Sequence, residues 1–459
     1  MNLRERQSVY SLASIYGLRM LGLFMILPVF SLYAEGLEGV TPALIGITLG
    51  IYGLAMALLQ IPFGMLSDRL GRKPIIAGGL VLFAIGSVVA AMADSIWGVI
   101  IGRAIQGSGA IAAAMMALLA DLTREEERTR VMAMMGGSIG MSFTLALMLG
   151  PFLNELIGVD GIFWLTAGMA IAGIAILYRL VPDPQHTRFH RDVETVPGQL
   201  KMILSNTQLI RLDLGIMIQH AVMMAMFTVL PFVLRDNLDM QISEHAWFYL
   251  PVLLLSVLGM FPLIIMAERK RKVKQVFVAC IALLAVSEIM LGSAHQSWHA
   301  VALGMVLFFL AFNVLEASLP SLVSRLAPAD CKGTAMGVYS TSQFFGIFVG
   351  GAGGGYLYSH FGITSVFYAC AAAAVLWFAF AISMQAPAYL SAFMAHVHIE
   401  LADEGAAEKM AEALLKIDGV SEAKVVLEDA VAYLKVDKDL FDQNKITLIT
   451  GSSEPATDS

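Results

Sequence analysis

The sequence is poor in charged residues and in cysteine. Only 14% of its 459 residues are Asp, Glu, Lys or Arg, and 58% are hydrophobic, whereas soluble domains carry about 25% charged residues. This deficit excludes an ordinary soluble domain and indicates a membrane protein. The three cysteines, Cys280, Cys331 and Cys370, lack the spacing of a disulfide framework or a metal site. They are expected to be small buried hydrophobic residues.

Other absences narrow the function. The sequence has no phosphate-binding loop for ATP, which disfavours a primary pump. It has no nucleophile–base pair and no set of metal ligands, which disfavours a membrane enzyme. We therefore expect no cofactor, no metal and no nucleic-acid partner. The first apolar segment is too long for the core of a cleavable signal peptide and is interpreted as a membrane span.

Long apolar segments make up most of the chain. A helix needs about 20 mostly apolar residues to cross a bilayer, and twelve segments are of this kind. They cover residues 9–33, 42–66, 74–93, 96–121, 130–153, 161–181, 207–234, 244–267, 274–293, 298–324, 332–357 and 363–385. Because every backbone polar group must be satisfied inside the bilayer, these segments are predicted to be helices.

Lysine and arginine are concentrated in the connections on one side of these spans. Nineteen of them lie before the first span, or within or at the edges of the connections that follow even-numbered spans, whereas Arg235 is the only one in the connections on the other side. The excess of positive charge in cytoplasmic loops therefore predicts that both termini are cytoplasmic. The longest polar connection, residues 182–206, separates a first half, residues 1–181, from a second half, residues 207–390.

The two halves contain a weak internal repeat. In the connection after span 8, Glu268 and Arg269 occupy the places that Asp68 and Arg69 have after span 2. Two related six-helix halves predict a substrate site near the membrane midplane between them.

Three motifs carry a family resemblance. Residues 64–73 read G-M-L-S-D-R-L-G-R-K, span 4 contains Arg103, Gln106, Gly107 and Gly109 in an R-x-x-Q-G-x-G element, and span 5 ends at Gly150-Pro151. These motifs resemble those of the major facilitator superfamily. The resemblance implies an all-α membrane protein in a bacterial inner membrane, with twelve transmembrane helices in two six-helix bundles. It also implies a proton gradient as the energy source and a small organic molecule as substrate.

The first motif is predicted to form a charged loop that latches the two halves in the outward-open state, as the resemblance implies. Asp68 is expected to face the start of span 11, where the helix dipole favours a carboxylate. Asp121 is expected to pair with Arg72. The predicted latch residues are Gly64, Asp68, Arg69, Gly71, Arg72 and Asp121. The alternative is that these charges only mark the cytoplasmic side.

Ionisable residues inside the spans are the candidates for proton coupling or substrate binding. A charge at the bilayer centre costs about 2.5–3.5 kcal/mol on insertion scales, so such residues need partners or water. The resemblance places spans 1, 4, 7 and 10 around a central cavity, and the candidates on those spans are Arg19, Arg103, Gln106, His220, Asn313 and Glu316. Glu288 lies on a peripheral span, and Asp213 is interpreted as structural.

Structural alternatives remain open for three of these candidates. Glu316 is a coupling residue or a member of a structural ion pair with Arg19. His220 is a titrating group or a hydrogen-bonded core residue. Arg103 is functional or packs against the backbone of the first helix.

Spans 5 and 11 are rich in glycine. Gly150, Pro151, Gly346 and Gly350 are predicted to allow close helix packing beside the seam between the halves.

The tail is a separate acidic unit. Residues 391–459 contain 6 Lys and Arg residues and 14 Asp and Glu residues, enough to account for the net charge of the whole chain, −7. The pattern predicts a strand at 396–401, a helix at 404–417, a hairpin of 423–427 with 430–436, and a last element near 439–450. Residues 391–450 therefore suggest a small ferredoxin-like α/β domain, and residues 451–459 look disordered. Without cysteine this domain has no thiolate metal site, and its open edge strand favours self-association.

Three functions fit the sequence. The leading one is a proton-coupled secondary transporter that exports small organic or drug-like molecules. The second is a proton-coupled importer of an anionic metabolite bound by Arg19 and Arg103. The third is a membrane sensor whose tail binds a cytoplasmic ligand.

Overall fold

The computed structural model describes residues 1, 3–124, 127–183, 196–328, 331–385, 391–397, 404–426, 431–437 and 440–441. The helices are α1 (Leu3–Phe24), α2 (Phe30–Tyr33), α3 (Pro42–Leu70), α4 (Arg72–Ala91), α5 (Ile96–Ser108), α6 (Ala112–Asp121), α7 (Arg128–Arg179), α8 (Leu200–Ser205), α9 (Thr207–Phe232), α10 (His245–Arg269), α11 (Val273–Ala294), α12 (Trp298–Leu326), α13 (Lys332–Phe361), α14 (Ile363–Ile382) and α15 (Glu404–Leu415). The strands are β1 (Ser391–His396), β2 (Val420–Val426) and β3 (Val431–Val436).

Nine helical stretches in the described part of the chain are long and apolar enough to cross a membrane. The sequence predicts twelve spans, and the difference has a physical origin. Helix α7 is 52 residues long because two helices run together across Gly158, whose φ of 70° and ψ of 173° are not helical. Helix α1 contains Arg4, Arg6 and Arg19, and α13 is diluted by glycine and hydroxyl residues. Neither of these two helices belongs to the nine.

Local signals explain where several helices begin. The Thr41 side chain accepts a hydrogen bond from the Leu44 amide at 3.2 Å and is followed by Pro42, a favoured first residue of a helix. The Asn206 side chain accepts bonds from the amides of Gln208 and Leu209 and so caps α9.

The expected loop at 64–73 is almost entirely helical. Only Gly71, with φ of 94°, interrupts the chain between α3 and α4.

Glycines let helices touch backbone to backbone within each half. A Cβ at Gly150 would lie 2.3 Å from the Met25 carbonyl oxygen. In the second half, a Cβ at Gly346 would lie 2.2 Å from the Met217 carbonyl oxygen, and one at Gly350 would lie 2.1 Å from that of Ala221. The close packing predicted for these glycines is therefore present, but their partners lie in the same half. Pro151 lies within α7, beside Gly150.

The seam between the halves uses other glycines, on α3 and α13. A Cβ at Gly46 would lie 2.1 Å from the Gly351 carbonyl oxygen, and one at Gly53 would lie 2.5 Å from the Phe344 carbonyl oxygen. Spans 5 and 11 are the helices predicted to flank the seam. Span 11 is α13 and lies at the seam as predicted, but the helix that meets its glycines is α3, which is span 2. Span 5 contacts the second half through Phe143.

The tail forms an antiparallel sheet in the order β1-β3-β2, with α15 against one face. Ala407, Met410 and Leu414 of α15 are buried, as their helical spacing predicts. The first strand begins at Ser391, five residues before the predicted start, because Ser391 pairs with Val436. The rest of the predicted ferredoxin-like domain, in residues 439–450, lies outside the described residues except for 440–441, as does the tail 451–459. The ferredoxin-like fold therefore stays a prediction.

Candidate functional site

A charged network lies at the end of the helices where lysine and arginine are concentrated, here called the basic end. The Arg72 side chain is 2% exposed. Its guanidinium donates to the Ser67 hydroxyl at 2.9 Å and to the Asp68 carboxylate, and its Nε lies 3.5 Å from Asp121 Oδ2. Because Gly71 turns the backbone between α3 and α4, Arg72 lies against the last turn of α3. The structure thus contains the expected ion pair between Arg72 and Asp121.

The start of α13 has a different partner from the one expected. The Thr334 hydroxyl accepts a bond from the Val196 amide at 2.9 Å and donates to Gln199 Oε1 at 2.9 Å. In the described part of the chain, no hydrogen bond or ion pair joins Asp68 to α13. The connection between the halves therefore occupies this helix start in the present conformation. Gly64, also in the motif, packs closely against α6, since a Cβ added at Gly64 would lie 3.0 Å from the Ala113 Cβ.

Arg19 is buried within the first half and contacts no carboxylate among the residues that the structure describes. It is 1% exposed and donates to the Gly109 carbonyl oxygen at 2.7 Å. That carbonyl is available because the helix breaks between α5 and α6. The guanidinium also lies 5.3 Å from the Phe83 ring centre. Its Nε and Nη1 have no hydrogen-bond partner among the described residues.

Arg103 is held in a similar way. Its Nη1 donates to Gln106 Oε1 at 3.0 Å, and its other nitrogens lie 3.4 Å from the carbonyl oxygens of Thr48 and Leu49. Gln106 in turn donates to the Ser87 hydroxyl at 2.7 Å. These contacts tie α5 to α3 and α4. Arg103 therefore packs against the backbone of α3, where the structural alternative named the first helix.

A polar cluster lies in the middle of the second half and is here called the Glu316 cluster (Gln219, His220, Glu316 and Gln343). Gln219 Nε2 donates to Glu316 Oε2 at 2.9 Å. Gln343 Nε2 lies 3.3 Å from Glu316 Oε1 and 2.9 Å from His220 Nε2. The Glu316 side chain is 39% exposed, whereas that of His220 is 6% exposed. Glu316 is thus partly exposed and is held by amides of α9 and α13, and it does not pair with Arg19.

The candidate Asn313 lies outside this cluster, whereas His220 links the cluster to a group of aromatic rings. Asn313 donates to the Ser256 hydroxyl at 3.4 Å and so points toward α10. The His220 ring packs 5.7 Å from that of Phe312, which belongs to an aromatic group with members from both halves. That group comprises Phe143, Phe227, Phe309 and Phe312.

A small cavity of about 10 Å³ lies between the two halves. Its lining is apolar except for Tyr52 and Arg103, and it comprises Leu23, Phe24, Leu27, Leu49, Tyr52, Arg103, Met223, Met224 and Ile347. A cavity of this size is about as large as one water molecule, so the two halves are closely packed here in the present conformation.

The opposite end of the molecule, here called the acidic end, is closed by contacts between the halves. Arg235 pairs with the carboxylate of Glu35 from the first half and with Asp236. Its guanidinium lies 5.5 Å from the Phe232 ring centre. Arg235 lies in a π-helical turn, Val233–Asn237, a local form frequent at functional sites. The glycine seam of α3 and α13 continues this closure toward the middle of the molecule.

Comparison with known proteins decides the family. The profile of the Major Facilitator Superfamily matches residues 12–351 and 212–393. The chain belongs to the Major Facilitator Superfamily. It is therefore a multi-pass membrane protein of a transporter family and not an enzyme.

Individual relatives agree with this membership. The chain is 45% identical over 442 residues to the inner membrane transport protein YajR of Escherichia coli (strain K12), covering 96% of each chain. It is 25% identical to the multidrug resistance protein MdtH of Proteus mirabilis, covering 74% of this chain and 84% of MdtH. A bacterial homologue of the human lysosomal transporter Spinster, solved in an inward-facing and occupied conformation, has the same fold. It shows a TM-score of 0.71 at 14% identity and covers 84% of this chain and 97% of that one.

Sequence reasoning missed several residues of this site. It did not assign Gln219 and Gln343 to the cluster, although both are amides within apolar spans. It identified Arg235 as the only cation of the acidic-end connections but not its pairing with Glu35. The sequence does contain a signal for that pair. A single Arg among several acidic residues at one end of the spans is expected to form an ion pair with one of them.

Proposed function

We propose that this superfamily member is a proton-coupled secondary active transporter that exports small organic or drug-like molecules by alternating access. In this proposal twelve spans form two six-helix bundles in a bacterial inner membrane, with both termini in the cytoplasm. The observation that carries the proposal is the Glu316 cluster. It combines a partly exposed carboxylate, a histidine and two amides in the second half.

The closed acidic end supports the alternating-access part of the proposal. Under the proposed orientation the acidic end is periplasmic, so the molecule is closed to the periplasm. Protonation of Glu316 removes a charge from the interior and so changes the relative energy of the two states. The MdtH relative, named as a multidrug resistance protein, supports the export direction.

The basic-end network is proposed to act in the opposite state. Arg72 already holds Asp68 and Asp121 within the first half. When the basic end closes, Asp68 would reach the start of α13, where Val196 and Gln199 now bind Thr334. In this proposal Gly64, Arg69 and Gly71 shape the surface that approaches α13.

Import of an anion is the alternative, and the two arginines bear on it. Arg19 and Arg103 are each 1% exposed and bind backbone carbonyl oxygens of their own half. This arrangement favours a structural role, although Arg103 also lines the cavity. Export is therefore preferred.

Transport in inverted membrane vesicles tests the proposed function. Ethidium and carboxyfluorescein serve as cationic and anionic probes, each with and without an imposed pH gradient. Export coupled to protons predicts gradient-dependent accumulation of ethidium in inverted vesicles containing this protein. Gradient-dependent release of carboxyfluorescein alone would support the importer, and deletion of residues 391–459 without loss of transport would exclude the sensor.

Asp68→Asn is expected to slow the transport cycle and to leave membrane insertion unchanged. The change removes the carboxylate that pairs with Arg72. It also removes the charge that is proposed to contact the start of α13 when the basic end closes, where an interaction with the helix dipole is worth about 0.3–1 kcal/mol. Ethidium transport is compared at equal protein levels in membranes. Asp94→Asn, an exposed change at the acidic end, is the control. Unchanged transport in Asp68→Asn would refute the latch role.

Arg235→Gln is expected to weaken closure of the acidic end only modestly. Arg235 is 36% exposed and Glu35 is 47% exposed, and exposed ion pairs contribute about 0.2–1 kcal/mol. The closed population should therefore fall by about fivefold at most. Electron spin resonance distances between labels at Met92→Cys and Gln296→Cys report this population. A complete loss of closure would show that the ion pair, and not the glycine seam, holds the acidic end.

A further inference from the structure

Gln343 joins the two titratable groups of the Glu316 cluster. Its Nε2 lies 2.9 Å from His220 Nε2 and 3.3 Å from Glu316 Oε1. An amide nitrogen carries two hydrogens and no acceptor site. One nitrogen can therefore donate to both groups only while both present lone pairs.

The remaining contacts agree with this proton arrangement. His220 Nδ1 lies 3.3 Å from the Ile216 carbonyl oxygen, so Nδ1 carries the hydrogen and Nε2 is the acceptor. The second Glu316 oxygen accepts from Gln219. The bridge thus corresponds to a carboxylate at Glu316 and a neutral imidazole at His220.

The same residue lies next to the seam between the halves. Gln343 precedes Phe344, whose carbonyl oxygen would lie 2.5 Å from a Cβ at Gly53 of α3. One turn later, Ile347 also meets Gly53. A change in the bonding of Gln343 therefore acts on the part of α13 that touches the first half.

We propose that Gln343 is a positioning residue that transmits the protonation state of Glu316 and His220 to the seam between α3 and α13. A proton on His220 Nε2 replaces an acceptor by a donor, and a proton on Glu316 Oε1 adds a donor and leaves that oxygen a weaker acceptor. The Gln343 amide nitrogen then faces a donor on one side. If the amide rotates, its oxygen can accept from that donor, but the other group loses its hydrogen bond to the amide nitrogen. The bridge breaks, and α13 loses the contact that fixes it in the closed arrangement. This inference rests on the proposed function, since it takes Glu316 as the proton site.

Other titratable groups face the cluster. Tyr339 of α13 lies within electrostatic range of both Glu316 and Asp213, and its hydroxyl has no hydrogen-bond partner among the described residues. Asp213 belongs to α9. Neither of them contacts Gln343 directly in the described part of the chain, so the test must separate their titration from that of the bridge.

The test follows the conformation of the full-length protein, without any substrate, between about pH 5 and about pH 9. Spin labels at Arg179→Cys and Lys270→Cys report the basic end, and the three native cysteines are buried. The parent protein is expected to change its closed-to-open ratio by about tenfold across this range, since an unsatisfied buried donor costs roughly that factor. Gln343→Leu is expected to reduce this change to less than about twofold.

Four variants make the result specific. Gln343→Asn, whose shorter amide cannot reach both partners, is expected to behave as Gln343→Leu does. Gln219→Leu removes one donor from Glu316 and leaves the bridge, so it shifts the midpoint pH and keeps the amplitude. Thr341→Val, two residues before Gln343, keeps both midpoint and amplitude. Full amplitude in Gln343→Leu and Gln343→Asn would overturn the inference. Full amplitude in Glu316→Gln would instead overturn the proposed function.

Discussion

Replacing Glu316 by Gln is expected to remove the dependence of transport on the pH gradient. Glutamine has the size of the carboxylate and can still hydrogen-bond to Gln219 and Gln343, but it cannot bind or release a proton. Gradient-driven accumulation of ethidium in inverted vesicles should therefore fall about tenfold or more. A change of this size lies within the range of about 5-fold to 150-fold that coupling between two sites typically produces. Downhill movement of the probe should persist, because the cavity between the halves is unaltered.

Glu288→Gln is the matched control for this experiment. Glu288 is fully buried in α11, and neither carboxyl oxygen has a hydrogen-bond partner among the described residues. The substitution makes the same chemical change in a membrane helix of the same half but away from the Glu316 cluster. Its pH profile should resemble that of the parent. A normal profile in Glu316→Gln together with a flat one in Glu288→Gln would move the proton site to α11.

Adding a methyl group at Gly351 is expected to open the acidic end. A Cβ there would lie 2.5 Å from the Gly46 carbonyl oxygen and 2.9 Å from the Gly50 amide nitrogen. Both neighbours are backbone atoms that cannot rotate away. Overpacking of this kind costs about 1–3 kcal/mol, so Gly351→Ala should reduce the closed population by about fivefold to about 150-fold. Transport should fall accordingly, since the cycle must pass through this state.

Gly353→Ala separates this effect from a general effect of alanine in α13. A Cβ at Gly353 meets no atom within 4 Å. The two variants differ by two positions on one helix, and alanine favours helix over glycine in both. Distances between labels at Met92→Cys and Gln296→Cys should widen in Gly351→Ala alone. Equal distances in the two variants would show that the seam does not control closure.

Much of the fold follows from the sequence because it depends on composition over long windows. Apolar length predicted where the membrane helices lie, and the start and end of α9 and α12 agree within a few residues. The pairing of Arg72 with Asp121 was expected because Arg72 of the motif and Asp121 at the end of span 4 lie at helix ends on the same side. These inferences need only local spacing and the cost of burying charge.

The remaining features depend on tertiary contacts that spacing does not encode. Glycine content marked α13 as a close-packing helix, but only the folded chain shows that Gly351 meets α3 whereas Gly350 meets α9. Opposite charge alone predicted an ion pair between Glu316 and Arg19, but in the structure Glu316 is hydrogen-bonded by amides of α9 and α13. The first strand of the tail was placed late because alternation continues on both sides of His396, and the register is set by pairing with β3.

The central claim is that protonation of the Glu316 cluster moves the molecule between two oppositely closed states. Distances across both ends of the same purified protein, measured with and without Glu316→Gln as the pH is lowered, test it most directly. The account predicts that the acidic-end and basic-end distances change in opposite directions in the parent protein and change much less in the variant, in which only His220 of the cluster can still titrate. Distances that do not respond to pH in the parent, or that respond equally in the variant, would contradict it.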